Sequence, residues 1–343
     1  MVYCLGTYNS TLLCVVGGGN VPIQCERVPK IIKSGDYHYS KQSFGKQDSY
    51  FLRSIATMMV IVAHYSNYIY GLNENRTWNL LSKLGRYGVA IFFLVSGYGL
   101  VYSIKEKNLN YIFLLHRIKC LYFPFMIMQF LSLVYVGKPS SQMSLKDWFY
   151  YFIGIDYWYV IIMFFLYCYF YLSMKFFKKY HEIILFLSVS LLNISLALMG
   201  CEEWWYLTNY VFCLGVFLAV HERNIKINNL YLAILLFLCF VIVSLIYSKI
   251  DEILLHDLFK IIAGMSFAGG VWFIYKSIPF RIYWNPINSI GKCSLYIYIL
   301  HIQALGFIQK YNISSYIVII LSIIVVILIS MLLEKVIAKL MNI

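Results

Sequence analysis

Apolar runs of about twenty residues, separated by short polar breaks, recur from residue 54 almost to the end of this chain, and they limit the fold more than any other feature. A run of that length crosses a hydrocarbon core of ~30 Å as a helix. The runs are continuous rather than alternating, which excludes the strands of a membrane barrel. The sequence therefore predicts an all-α integral membrane protein. About ten transmembrane helices are legible, over 54–71, 87–104, 118–137, 157–177, 182–200, 204–220, 229–248, 257–278, 290–308 and 313–333. Pro124, Asn193, Asn209 and His301 interrupt the third, fifth, sixth and ninth. With 61% hydrophobic and 13% charged residues, the chain leaves no soluble domain over.

The formal charge of +13 could suggest nucleic acid, but its lysines and arginines are scattered a few at a time between the apolar runs. They read as topology signals instead. One set of breaks holds Lys41, Lys46, Arg53, Lys105, Arg117, Lys119, Lys175, Arg223, Lys276 and Lys292; the alternate set is poorer in cations and holds Glu202, Glu203, Asp251 and Glu252. The positive-inside rule then places both termini in the cytoplasm. Residues 1–48 are mixed and basic and have no signal-peptide pattern, so a poorly ordered cytoplasmic tail is expected there, followed by a transmembrane domain over 49–343. The nine cysteines include five within apolar runs, without CxxC or Cys/His spacing, so no metal site is readable.

The segment FLRSIATMMVIVAHYSNYIYG, starting at Phe51, is apolar yet carries Arg53 and His64. Eleven positions separate them, which is three helical turns plus about 20°, so both leave one face of a helix with a rise of ~16 Å between them. Taken alone, Arg53 fits an interfacial residue snorkelling to lipid phosphates, and His64 fits a buried structural histidine. Ionisable groups at mid-membrane are costly and tend to be kept for pathways or chemistry, and a shared face lets the two line one cavity.

Arg53, ten intervening residues and His64 in a first span resemble the signature of acyltransferase family 3, the bacterial integral-membrane O-acyltransferases that modify cell-surface glycans. The resemblance continues in order through YGVAIFFLVSGYGL at 87–100, HRIKCLYFPF, DYWYVIIMFFLY and NSIGKCSLYIYILHIQAL, and covers about residues 48–333. The chain departs from the family at two points: Leu121 stands near the place of a second arginine in the basic stretch, and Ile161 to Phe164 offer no glutamate after Trp158.

The resemblance implies a membrane O-acyltransferase, by family habit an O-acetyltransferase, moving an acyl group from cytoplasmic acetyl-CoA to a hydroxyl of a surface polysaccharide or its lipid-linked precursor at the bacterial cytoplasmic membrane. Such a transfer needs a base, oxyanion stabilisation and recognition of an anionic donor. A neutral His64 imidazole suits the first task. Arg53, always charged and bidentate toward phosphate, suits the donor phosphates or the oxyanion. The ~16 Å between the two is too far for a direct dyad but fits a long donor whose arm reaches inward. Arg117 and Lys119 could bind phosphates or simply mark the cytoplasmic edge. Ser96 could meet substrate, or with Gly97 permit close helix packing. Trp158 could stack on a sugar or belong to an aromatic belt. His301, beside Gln303, faces either a polar cavity or the core. No GxSxG is present and no cysteine sits at helical spacing from His64, so direct transfer is expected over an acyl-enzyme. A transporter or flippase of lipid-linked glycan is the alternative of another class, and an inactive family member acting as a binding subunit is a third.

Overall fold

The computed structural model describes residues 44–106, 109–136, 144–154, 157–278 and 285–341, and these form helices and short connections without a strand. In chain order they are α1 (Lys46–Asn73), α2 (Arg76–Ser82), α3 (Leu84–Glu106), α4 (Tyr111–Val136), α5 (Leu145–Ile153), α6 (Trp158–Phe176), α7 (His181–Leu198), α8 (Tyr210–His221), α9 (Asn229–Tyr247), α10 (Ile253–Ser277), α11 (Asn285–Lys292), α12 (Ser294–Lys310) and α13 (Tyr316–Met341). Local chemistry sets several ends. The Gly45 N–H donates to Asp48 Oδ2 at 2.6 Å where α1 begins, and the Asn75 side chain accepts from the Thr77 N–H at 2.8 Å where α2 begins. Ser144 and Asp147 cap α5 reciprocally. At the other end of α5, Gly154 takes φ 84° against the Phe125 ring, a position with neither the backbone freedom nor the space for a side chain.

Eight helical stretches are long and apolar enough to cross a membrane: Arg76–Ile104, Tyr111–Phe130, Trp158–Phe176, His181–Leu198, Glu203–His221, Asn229–Tyr247, Ile253–Ser277 and Tyr316–Leu340. The helices α11 and α12, bent by 74° at Cys293, make nine if they form one span. Eight of the ten expected spans are matched in this way, and the other two differ for physical reasons. The late apolar run is broken rather than straight. The stretch expected as the first span lies in α1, whose 28 residues reach ~42 Å but include Arg53, His64 and Asn67 among hydroxyl-bearing neighbours, so it is too polar to qualify.

Helix α3 lies at the centre and packs against α1, α8 and α10, while α9 pairs with α10. Its residues from Val89 to Val95 are buried without interruption, the pattern of a helix enclosed on every side rather than of an amphipathic one. A second apolar cluster forms where Ile61, Tyr65 and Ile69 of α1 meet Ile297 and Leu305 of α12 and Ile319 and Val326 of α13. The faces of α9 and α13 turned from the bundle expose leucine, isoleucine and valine, as a lipid-facing helix does.

Polar contacts tie the bundle together at the end where α1 begins. Tyr275 donates to Asp48 at 2.5 Å, Tyr98 to Glu222 at 2.6 Å and Lys276 to the same Glu222 at 2.5 Å. Residues 1–43 of the expected tail lie outside the described residues. The stretch 44–48 assigned to that tail is built into the bundle instead: Phe44 is buried against Tyr98, Asp48 is buried under Tyr275, and α1 starts at Lys46.

Candidate active site

Arg53 leaves α1 into a continuous recess of two adjoining cavities at the Lys46 end of the bundle. The outer part, of about 1070 Å³, is lined by Lys46, Arg53, Ser103, His116 and Arg117 among others, and the inner part, of about 260 Å³, by Arg53, Ser96, Arg117, Tyr159 and Tyr298. Both guanidiniums therefore reach both parts. Arg117 spends one nitrogen on Ser103 Oγ at 2.5 Å and leaves a buried Nε without a partner; Arg53 also has a buried, unpartnered Nε. Neither arginine has a carboxylate partner among the described residues. Two uncompensated guanidiniums in one recess are costly without an anion and match the geometry of phosphate. The recess also contains one ion pair of its own, Lys292 with Glu334 at 2.9 Å, on the wall of its inner part.

His64 faces a separate cavity of about 420 Å³ toward the other end of α1, where it lies open among Asn67, Arg86, Trp158, Trp204 and Thr208. Val60, Val89 and Tyr298 line both this cavity and the inner part of the arginine recess, so they are the wall between them. A void of about 10 Å³ beside Val60 and Tyr298 reaches His301. The common chamber expected for Arg53 and His64 is thus two chambers sharing a thin wall. Val60, one turn before His64 on α1, lines both.

His301 is 1% exposed, and its ring lies 5.1 Å from that of His64 between centroids. Its Nδ1 sits 2.9 Å from the Ile297 carbonyl oxygen. A carbonyl only accepts, so Nδ1 carries the proton and a neutral ring keeps its lone pair on Nε2. That Nε2 is buried with no partner. The two imidazoles thus form a pair, one ring open to the cavity and one behind it, and a His64 N–H turned toward His301 leaves the other His64 nitrogen free to accept a proton.

Of the residues singled out from sequence, Arg53, Arg117 and Ser96 share the recess, and His64 and Trp158 share the second cavity. His301 lines the small void behind His64 and neither of the larger cavities. Lys119 is exposed and lines neither cavity; two residues after Arg117 it falls on a different side of α4. His116, one residue before Arg117, lines the recess, as does Lys46, and Arg86, Trp204 and Thr208 join His64. Arg86 reads in sequence as one more cation in a polar break.

A family model described as an acyltransferase domain, that of acyltransferase family 3, matches residues 50–335. No curated protein and no solved structure matches the chain.

Proposed function

The chain belongs to acyltransferase family 3 and is a membrane acyltransferase, and from that premise we propose that it transfers an acyl group, acetyl by family habit, from acyl-CoA to a hydroxyl of a surface glycan or its lipid-linked precursor. In this reading it sits in the bacterial cytoplasmic membrane with both termini in the cytoplasm and α1 as a further span. The donor phosphates meet Arg53 and Arg117 at the cytoplasmic end, and the thioester is carried inward past Ser96 to the wall at Val60 and Tyr298. The acceptor comes from the opposite side into the cavity of Trp158 and His64. The arginine pair without a carboxylate partner among the described residues on one side of the wall, with an open histidine on the other, is the observation that carries the proposal.

His64 takes the proton of the acceptor hydroxyl as its oxygen attacks the thioester carbonyl carbon. The carbon–sulfur bond then breaks, and the CoA thiolate leaves and takes up a proton from the His64 imidazolium, so one ester forms for each free thiol released. Substrate positioning does most of the remaining work, because the two reactants meet from separate chambers.

The test is CoA thiol release by purified protein supplied with acetyl-CoA together with a surface-polysaccharide fraction as acceptor. Arg53→Ala is expected to raise KM for acetyl-CoA by about tenfold or more, the usual cost of a lost charge-assisted phosphate contact, and Arg117→Ala to do so less because Ser103 already holds that side chain. His64→Ala is expected to lower kcat by about 10²-fold or more. An unchanged KM in Arg53→Ala would remove the donor from this recess. A wild-type protein that moves glycan across vesicles but never releases CoA would instead be a transporter.

A further inference from the structure

The cavity around His64 holds a permanent cation that the proposed reaction does not use. Arg86 lines it, and the guanidinium is held rigidly: Nη2 donates to the hydroxyls of Tyr87 at 3.2 Å and Tyr247 at 3.1 Å, and both rings lie near it, with centroids 5.1 and 5.6 Å from its central carbon. Two neutral phenols do not cancel a charge. Among the described residues no carboxylate lines the cavity and Arg86 has no ion-pair partner.

Two buried polar atoms on side chains of this cavity lack partners. They are Arg86 Nε and the Thr208 hydroxyl oxygen, the latter on a residue that is 3% exposed. Trp158 and Trp204 supply aromatic rings to the same space. Rings of this kind stack on the apolar faces of sugars, while a guanidinium clamped in place by two tyrosines presents a fixed fork to a planar or tetrahedral anion. A rigid, desolvated, unpaired cation beside aromatic platforms is expensive unless the natural occupant brings a negative charge.

We propose that the acceptor bound in this cavity is an anionic sugar, with its carboxylate or phosphate on Arg86 and its ring against Trp158 and Trp204. This rests on the acceptor reading of the His64 cavity and adds the charge of the substrate to it. Arg86 is then a specificity residue: it selects and orients the acceptor, and the neighbouring His64 meets the hydroxyl.

Equilibrium binding to the full-length protein in detergent tests it, read by quenching of tryptophan fluorescence and by calorimetry with three probes: methyl glucoside, methyl glucuronide and glucose 1-phosphate. The wild type is expected to bind at least one anionic probe about tenfold more tightly than the neutral one, with the two anions distinguishing a carboxylate from a phosphate site. Arg86→Gln is expected to erase that preference and leave methyl glucoside affinity unchanged, Arg86→Lys to keep part of it, and Trp204→Ala to weaken all three probes together. Equal affinity for the three probes, binding of none of them, or a preference that survives Arg86→Gln would overturn the proposal. Acetyl-CoA turnover, measured in parallel, keeps the two readings apart. Anion preference without CoA release would overturn the acyltransfer reading alone, and CoA release without anion preference would overturn this one alone.

Discussion

A buried acceptor nitrogen with no donor costs roughly 1–3 kcal/mol, and His301 Nε2 is in that position beside the ring of His64. In the proposed reaction a rotation of His64 that turns an N–H toward His301 would satisfy it, fix the His64 tautomer and leave the other His64 nitrogen for the acceptor hydroxyl. His301→Leu is therefore expected to lower kcat by roughly 10- to 100-fold, part of the full contribution of a general base, with KM for acetyl-CoA unchanged. His301→Gln, which can offer an acceptor oxygen, should restore some of that rate. Steady-state kinetics on both variants check this, and equal loss in the two would make His301 a packing residue only. Arg53 and His64 were legible in the sequence because an ionisable side chain inside an apolar run stands out by its cost. Arg86 was not, because it precedes its apolar run and looks like an ordinary topology cation; only the approach of Tyr247 from α9 shows that it is clamped. Thr208 and Trp204 were equally silent, since their meeting with His64 depends on contacts between distant segments.

Helices α3 and α8 cross where each has a glycine: a Cβ on Gly97 would collide with the Phe212 carbonyl oxygen, and one on Gly215 with that of Leu94. Close backbone approach of this kind is how membrane helices gain van der Waals contact without a hydrophobic drive between them. Gly97→Ala or Gly215→Ala is expected to cost about 1–3 kcal/mol through forced separation and to lower the thermal midpoint in detergent. Gly99→Ala, two residues along α3 with nothing within 4 Å of its Cβ, should be neutral or slightly stabilising. Matching losses at Gly97 and Gly99 would mean that the crossing is not what the glycines serve. The small residues at Ser96 and Gly97 announced such packing, and unbroken apolarity announced most helices. The 74° bend between α11 and α12 could not be read, because its causes lie on another element. Gly291 has the Tyr50 carbonyl against it, and the Ser54 hydroxyl donates to the Ile287 carbonyl, so α11 is drawn onto α1 just beside Arg53 while α12 turns away to pack against α13 and α4 as well as α1. Contacts of this kind explain why α1 tolerates its polar residues: Thr57 donates to the Arg53 carbonyl at 2.7 Å, Ser54 to α11, and Tyr68 to the Ile313 carbonyl at 3.0 Å, while Tyr65 meets Ser322 of α13 at 3.3 Å.

At the scale of the whole molecule, the arginine recess and the histidine cavity lie at opposite ends of α1, and each faces its own substrate in the proposed reaction. Charge is distributed accordingly: Arg53, Arg117 and Lys46 gather at one end and Arg86 stands at the other, with Val60, Val89 and Tyr298 lining both sides of the boundary between them. In the proposed reaction a wall of that kind keeps the two chambers apart while the thioester end of the donor arm reaches it, and it follows that its thickness should govern transfer without governing donor affinity. Val60→Phe tests this directly, because it adds bulk at the one α1 residue lining the recess, the cavity and the void between them. The expected result is a loss of about tenfold to a hundredfold in acetyl transfer, the scale of a misplacement of about 1 Å at the reacting centre, while acetyl-CoA binding by calorimetry stays within about twofold, far less than a tenfold change per 1.4 kcal/mol would signal. Val60→Ala should act in the opposite sense, widening the passage and raising hydrolysis of acetyl-CoA in the absence of acceptor. If donor affinity falls in step with transfer in Val60→Phe, the donor does not stop short of the wall, and the two chambers are better understood as one binding site than as two that meet.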